Sequence, residues 1–74
     1  MTLDLSELNS FLVLANSLHF RKASEQLFIS QPALSKKIRR LEEKINGPLF
    51  VRTRRKVALT EVGRVLSAEG SEAA

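Results

Sequence analysis

The tripeptide Asn46-Gly47-Pro48 divides the chain into two parts with different hydrophobic periods. Asn and Gly accept the left-handed backbone that ends a helix, and Pro cannot continue one. Before this stop, apolar residues recur at helical spacing. After it they come in short runs on either side of a basic stretch. Such a chain places helices first and a small hairpin afterwards. With 74 residues and no cysteine, it has room for one domain with a small core that no disulfide can staple.

Asp4 and Glu7, three residues apart, predict a capping box opening the first helix. Leu5, Leu8, Phe11, Leu12, Ala15 and Leu18 then mark its inward stripe, with Glu7, Asn9, Ser10 and Asn16 off it. Asn16, Ser17 and His19 break this helix. A shorter helix is predicted over residues 21–27, with Phe20, Ala23 and Leu27 inward and small Ala23 and Ser24 permitting close approach. Ser30 is a preferred N-cap, and Pro32 falls in the first turn that follows, where its missing N–H costs nothing. A third helix therefore spans residues 31 to 44 or 45. The last two of these helices, joined by a short turn, are a helix-turn-helix candidate.

At about 100° per residue, Leu34, Ile38, Leu41 and Ile45 fall in one narrow sector of the third helix. Pro32, Ser35, Lys36, Arg39 and Glu43 lie opposite. The start of that outer face combines small residues, a hydroxyl and long basic chains, as a helix laid in a major groove requires. Its bland reading is solvent-exposed surface. After Pro48, residues 49–53 and 57–59 read as two short strands around the basic loop Thr53-Arg54-Arg55-Lys56, which together form a wing. Thr60 is an N-cap for a last helix with the apolar stripe Val62, Val65 and Leu66, and Gly70 with the neighbouring serines weakens its end.

The formal net charge of +4 becomes informative once it is located. Nine of the twelve Lys and Arg residues lie between Lys36 and Lys56, opposed there only by Glu42 and Glu43. A basic cluster in one third of a small domain is the footprint of a polyanion binder, or else a solvated helix face plus a basic loop. The single His19 and single Asp4 leave no catalytic constellation, so no enzyme, metal or cofactor is expected. No apolar run approaches the ~20 residues of a membrane span. The start, MTLDLSEL, lacks the basic region and apolar core of a signal peptide.

The run from Ala23 to Glu42, with Ser30-Gln31-Pro32-Ala33-Leu34-Ser35 at its centre, resembles the helix-turn-helix signature of LysR-type transcriptional regulators. Pro48-Leu49-Phe50 with Arg52, then Leu59-Thr60-Glu61-Val62-Gly63, resemble that family's wing and the start of its linker helix. The resemblance covers residues 3–66. The chain departs from the family pattern at His19 and Arg21, where Ser or Thr is usual, at Asn46, often Gly, and in its tail after Leu66, which lacks the usual apolar run.

The resemblance implies a mainly α winged helix-turn-helix: a three-helix core, a two-stranded wing and the start of a fourth, linker helix. Residues 1–59 would be the DNA-binding domain and residues 60–74 the truncated beginning of the linker and dimerisation helix. It implies sequence-specific binding of an operator on double-stranded DNA, an inverted repeat read by a homodimer, in the bacterial cytoplasm at the nucleoid. Base contacts would come from Gln31, Pro32, Ala33, Ser35 and Lys36, with Gln31 suited to adenine and Lys36 to guanine. Backbone and wing contacts would come from Arg21, Lys22, Ser30, Arg39, Arg40, Arg52, Arg54, Arg55 and Lys56, of which Arg54 and Lys56 are assigned on charge alone. Val62, Val65 and Leu66 would pair with the partner. A small-molecule effector would bind a periplasmic-binding-protein-like domain outside these residues, which makes the chain a DNA-binding fragment or an unusually short relative. The competing readings are a protein-interaction winged-helix scaffold and a non-specific nucleic-acid binder. Phe11, Phe20 and Phe50 fall on core patterns and there is no Trp or Tyr, which counts against a stacking platform for single strands.

Overall fold

The computed structural model describes residues 4–73. Over these residues the chain runs α1 (Leu5–Ser17), α2 (Phe20–Leu27), α3 (Gln31–Ile45), β1 (Phe50–Arg52), β2 (Val57–Leu59) and α4 (Glu61–Ala73). The mainly helical winged helix-turn-helix expected from the sequence is what forms. The strands pair antiparallel, with Phe50 opposite Leu59, Val51 opposite Ala58 and Arg52 opposite Val57. The core gathers Phe11 and Leu14 of α1, Ala23 of α2, Leu34, Ile38 and Leu41 of α3, and Leu49 and Phe50 at the base of the wing. Phe11 and Phe50 pack as tilted rings, 5.5 Å between centroids.

Helix α1 differs most from expectation. Asp4 does cap it, accepting a hydrogen bond from Ser6 N at 2.7 Å. Glu7 does not complete a capping box: its carboxylate is turned inward and pairs with Lys44 Nζ at 2.7 Å. The buried face is Glu7, Ser10, Phe11 and Leu14, whereas Leu5 is 80% exposed. The reason is that α1 packs against α2, α3 and α4. A helix covered from several sides buries positions that one apolar stripe leaves out. Ser10 is accommodated because its hydroxyl donates to Ser6 O at 2.9 Å. Among the described residues no buried side-chain polar atom lacks a partner.

The helix ends follow local rules closely. Ser30 Oγ accepts from Ala33 N at 3.2 Å and caps α3. Asn46 adopts the left-handed conformation (φ 61°), and Gly47 N donates to Glu42 O at 3.1 Å, so the stop works as read. His19 occupies the N-cap of α2 without a side-chain cap bond, so the hydroxyl missing there is not replaced. Phe28 ends α2 in the left-handed region at φ 57°, with its ring 94% exposed. A bulky residue in that conformation costs about 1 kcal/mol or more, which glycine avoids. Phe28→Gly is therefore expected to raise stability by about 1 kcal/mol, read as a higher urea midpoint at unchanged slope. A lower midpoint would mean that the ring makes a stabilising contact.

The second strand spans residues 57–59 as expected, but the first is shorter than the sequence suggests, because Leu49 and Thr53 spend their hydrogen bonds elsewhere. Leu49 N donates to Glu42 Oε2 at 2.8 Å, and Thr53 N closes the wing turn on Lys56 O at 2.9 Å. Thr60 joins wing to helix: its N donates to Leu49 O at 3.0 Å, its hydroxyl donates to Pro48 O at 2.8 Å, and the same oxygen caps Gly63 N at 3.0 Å. Helix α4 continues through Gly70, which is buried against Leu12 of α1. Gly70 thus marks close helix approach where a weakened helix end was expected.

Candidate nucleic-acid interface

The amino-terminal turns of α3 present the outer face expected of them. Gln31, Pro32 and Lys36 are exposed, and Ala33 and Ser35 are half-buried. The inward sector Leu34, Ile38 and Leu41 is buried, which fixes the rotation of the helix about its axis. Arg39 and Arg40 continue the exposed surface. Arg21 and Lys22 are exposed in the first turn of α2, and Arg21 Nε lies 3.6 Å from Glu25 within that helix. In water a pair so exposed holds the guanidinium only weakly.

The wing tip is a turn organised by Thr53. Its hydroxyl oxygen accepts from Arg55 N at 3.4 Å and Lys56 N at 3.2 Å, which leaves the side chains of Arg54, Arg55 and Lys56 exposed. The fold brings this tip beside the starts of α2 and α3. His19, Arg21, Gln31, Arg54, Arg55 and Lys56 line one open cleft of about 290 Å³. Among the described residues no acidic side chain lines it. Residues far apart in sequence thus converge on a groove of one charge sign that ends at the recognition helix. A groove of this kind focuses field lines toward an anion.

Some basic residues are drawn elsewhere. Lys37 donates to the Ser6 hydroxyl, and Lys44 pairs with Glu7, so both serve the α1–α3 contact. Arg52 is not at the tip. Its Cζ lies 3.8 Å above the Phe20 ring centroid, and its Nη2 lies 3.4 Å from Ser35 Oγ. His19 and Thr53 were not assigned to the site from sequence. His19 is placed there by the break between α1 and α2, and Thr53 by the turn it closes. Phe20, expected in the core, packs partly against it and also lies beneath the Arg52 guanidinium. Val62, Val65 and Leu66 lie away from the cleft, with Ile45 in an apolar groove between α3 and α4. Val62 and Val65 are 49% and 54% exposed, while Leu66 packs partly on the core. Among the described residues no cluster of His, Asp and Glu is placed to hold a metal, and no helix is long and apolar enough to cross a membrane.

A turn-linked helix pair with an outward polar recognition face, flanked by a basic β-hairpin, defines a winged helix-turn-helix. Residues 5–64 match the lysR family of bacterial regulatory helix-turn-helix proteins. The chain belongs to that family. It is 47% identical over 64 residues to the transcriptional regulator IlvY of Escherichia coli strain K12, a stretch that is 86% of this chain and 22% of that one. The chain thus spans about a fifth of the length of such curated relatives. Its fold is similar to that of Vibrio fischeri DarR in complex with DNA, with a TM-score of 0.91 and 32% identity over 99% of this chain and 25% of that one. It is likewise similar to the DNA-binding domain of BenM in complex with catB site 1 DNA, with a TM-score of 0.90 and 31% identity over 96% of this chain and 79% of that one.

Proposed function

We propose that this chain binds double-stranded DNA sequence-specifically as the reading head of a transcriptional regulator. The observation that carries the proposal is the basic cleft that joins Arg21, Gln31 and the wing-tip residues Arg54, Arg55 and Lys56. α3 enters the major groove with Gln31, Pro32, Ala33, Ser35 and Lys36 toward base edges. Gln31 suits adenine, Lys36 suits guanine, and Pro32 and Ala33 suit a thymine methyl. Arg21, Lys22, Ser30, Arg39 and Arg40 face the phosphates of the flanking strand, and Arg54, Arg55 and Lys56 hold backbone or minor groove. Arg52 stands apart, because its guanidinium is already engaged by Phe20 and Ser35.

The reading extends to assembly. Exposed Val62 and Val65 on α4 support pairing with a second copy, and two-fold symmetry then requires an inverted-repeat operator. On this reading residues 1–59 read DNA, and residues 60–74 begin the dimerisation helix of a longer bacterial cytoplasmic regulator. Its effector, a small molecule, binds a domain outside these residues.

Selection of bound duplexes from a randomised pool tests this directly, and an enriched inverted repeat is expected. For about six neutralised phosphates per half-site, log K should fall against log salt with a slope near ~−5. Gln31→Ala is expected to relax base preference at one position at a cost of about 1–3 kcal/mol, and Arg55→Ala to weaken all duplexes alike. Equal, sequence-independent losses from both variants would overturn the role of Gln31. Salt-sensitive binding without enrichment would indicate a non-specific binder, and no binding a scaffold.

A further inference from the structure

We propose that Arg52 is a positioning residue that locks the wing against the recognition helix and, through Ser35, sets the base preference of the protein. The proposal rests on the DNA-binding reading above and assigns a specific job to a side chain that charge alone would send to a phosphate. Arg52 ends β1, inside the paired part of the hairpin opposite Val57. Its guanidinium lies 3.8 Å over the ring of Phe20, the first residue of α2. Its Nη2 reaches Ser35 Oγ, in the second turn of α3, at 3.4 Å. One side chain thus touches the start of α2 and the recognition helix while belonging to the wing.

The hairpin needs such a tie. Each strand has three residues, and a two-stranded ribbon of that length is marginal by itself. Its inner end is anchored by buried Phe50 and by Thr60. Beyond Phe50, the residues of β1 are exposed, so the angle of the basic tip depends on what holds the Arg52 end. Guanidinium can stack on a ring and donate in the plane at once, which an ammonium does not reproduce. The bond to Ser35 also sets a polarity. The hydroxyl oxygen accepts from Arg52, so its proton is free to point into the groove. Ser35 thereby keeps its proton for an acceptor in the groove, such as guanine N7 or O6 or thymine O4, while one of its two lone pairs is taken by Arg52.

The test separates the clamp from a phosphate contact. Binding is measured to the selected duplex and to a scrambled duplex across a range of salt, for wild type, Arg52→Lys, Arg52→Gln and Phe20→Leu. The expected result is an about tenfold loss of preference for the selected duplex in every variant, with Arg52→Lys failing to rescue and its salt slope unchanged. Should Arg52→Lys behave as wild type, and Arg52→Gln flatten the slope by about 0.9 on both duplexes, Arg52 is a phosphate contact and the proposal falls. A second measurement needs no DNA. Hydrogen exchange of the β1–β2 hairpin amides is expected to quicken in Arg52→Lys and Phe20→Leu but not in Arg55→Lys. Unchanged exchange overturns the clamp whatever the DNA results. Absence of any duplex preference in the wild type overturns the DNA reading instead, and the exchange data then decide the clamp alone.

Discussion

Gly63→Ala is expected to destabilise the protein by about 3 kcal/mol, the largest single effect anticipated here. Gly63 is buried in the first turn of α4, beneath the chain entering the wing. A Cβ placed there overlaps the carbonyl oxygen of Leu49 and comes within 2.9 Å of Leu59 Cδ2. The Leu49 carbonyl cannot retreat freely, because it accepts the hydrogen bond from Thr60 N that closes the base of the wing. The clash therefore displaces backbone and loosens α4 from the hairpin. A domain of this size has only a few kcal/mol in total, so the variant should be largely unfolded at physiological temperature. Gly70→Ala is the control. Its Cβ would meet Leu12 Cδ2 at 2.9 Å, the far end of a side chain that can rotate, and alanine gains about 1 kcal/mol of helix propensity. Thermal melts should place Gly70→Ala near wild type and Gly63→Ala far below. Equal melting of the two glycine variants would remove the backbone argument.

Lys44→Met is expected to cost about 2 kcal/mol, although Lys44 sits on the basic side of the molecule. Its ammonium holds the carboxylate of Glu7, whose side chain is 6% exposed, at 2.7 Å. Removing the lysine leaves a buried charge without a partner, which in a fully enclosed site costs 3 kcal/mol or more, roughly. Lys44 is 34% exposed, so water replaces part of what is lost and the smaller figure applies. Glu7→Leu introduced beside Lys44→Met should recover most of the stability, since an apolar pair of similar size removes the desolvation cost. A double-mutant cycle by urea unfolding measures this. Additive losses would show that the two residues do not act as a pair. Because Lys44 is spent on α1, Lys44→Met should also leave the salt slope of DNA binding unchanged.

These two cases mark where reading the chain by itself succeeds and where it stops. Ser30, Asn46-Gly47-Pro48 and Thr60 announce the ends of α3 and the start of α4 because caps and stops act between residues a few positions apart. The inward sector Leu34, Ile38 and Leu41 is legible for the same reason: a helix buried along one face shows that face as a stripe. Helix α1 is not legible in this way. Glu7 and Ser10 look like surface until three other helices close around them. Lys37 and Lys44 count toward a basic cluster until α1 takes them. Gly70 reads as a helix-weakening residue until Leu12 of α1 is seen against it.

The chain alone therefore determines the order of elements, their caps, the outward face of the recognition helix and the basic wing tip, since each follows from neighbours within one or two turns. Tertiary structure decides which charges remain free and which residues share a site. The pairs Glu7–Lys44, Arg52–Phe20, Arg52–Ser35 and Gly63–Leu49 join separate elements. Their partners are chosen by how helices pack, and no local pattern in the sequence encodes that choice.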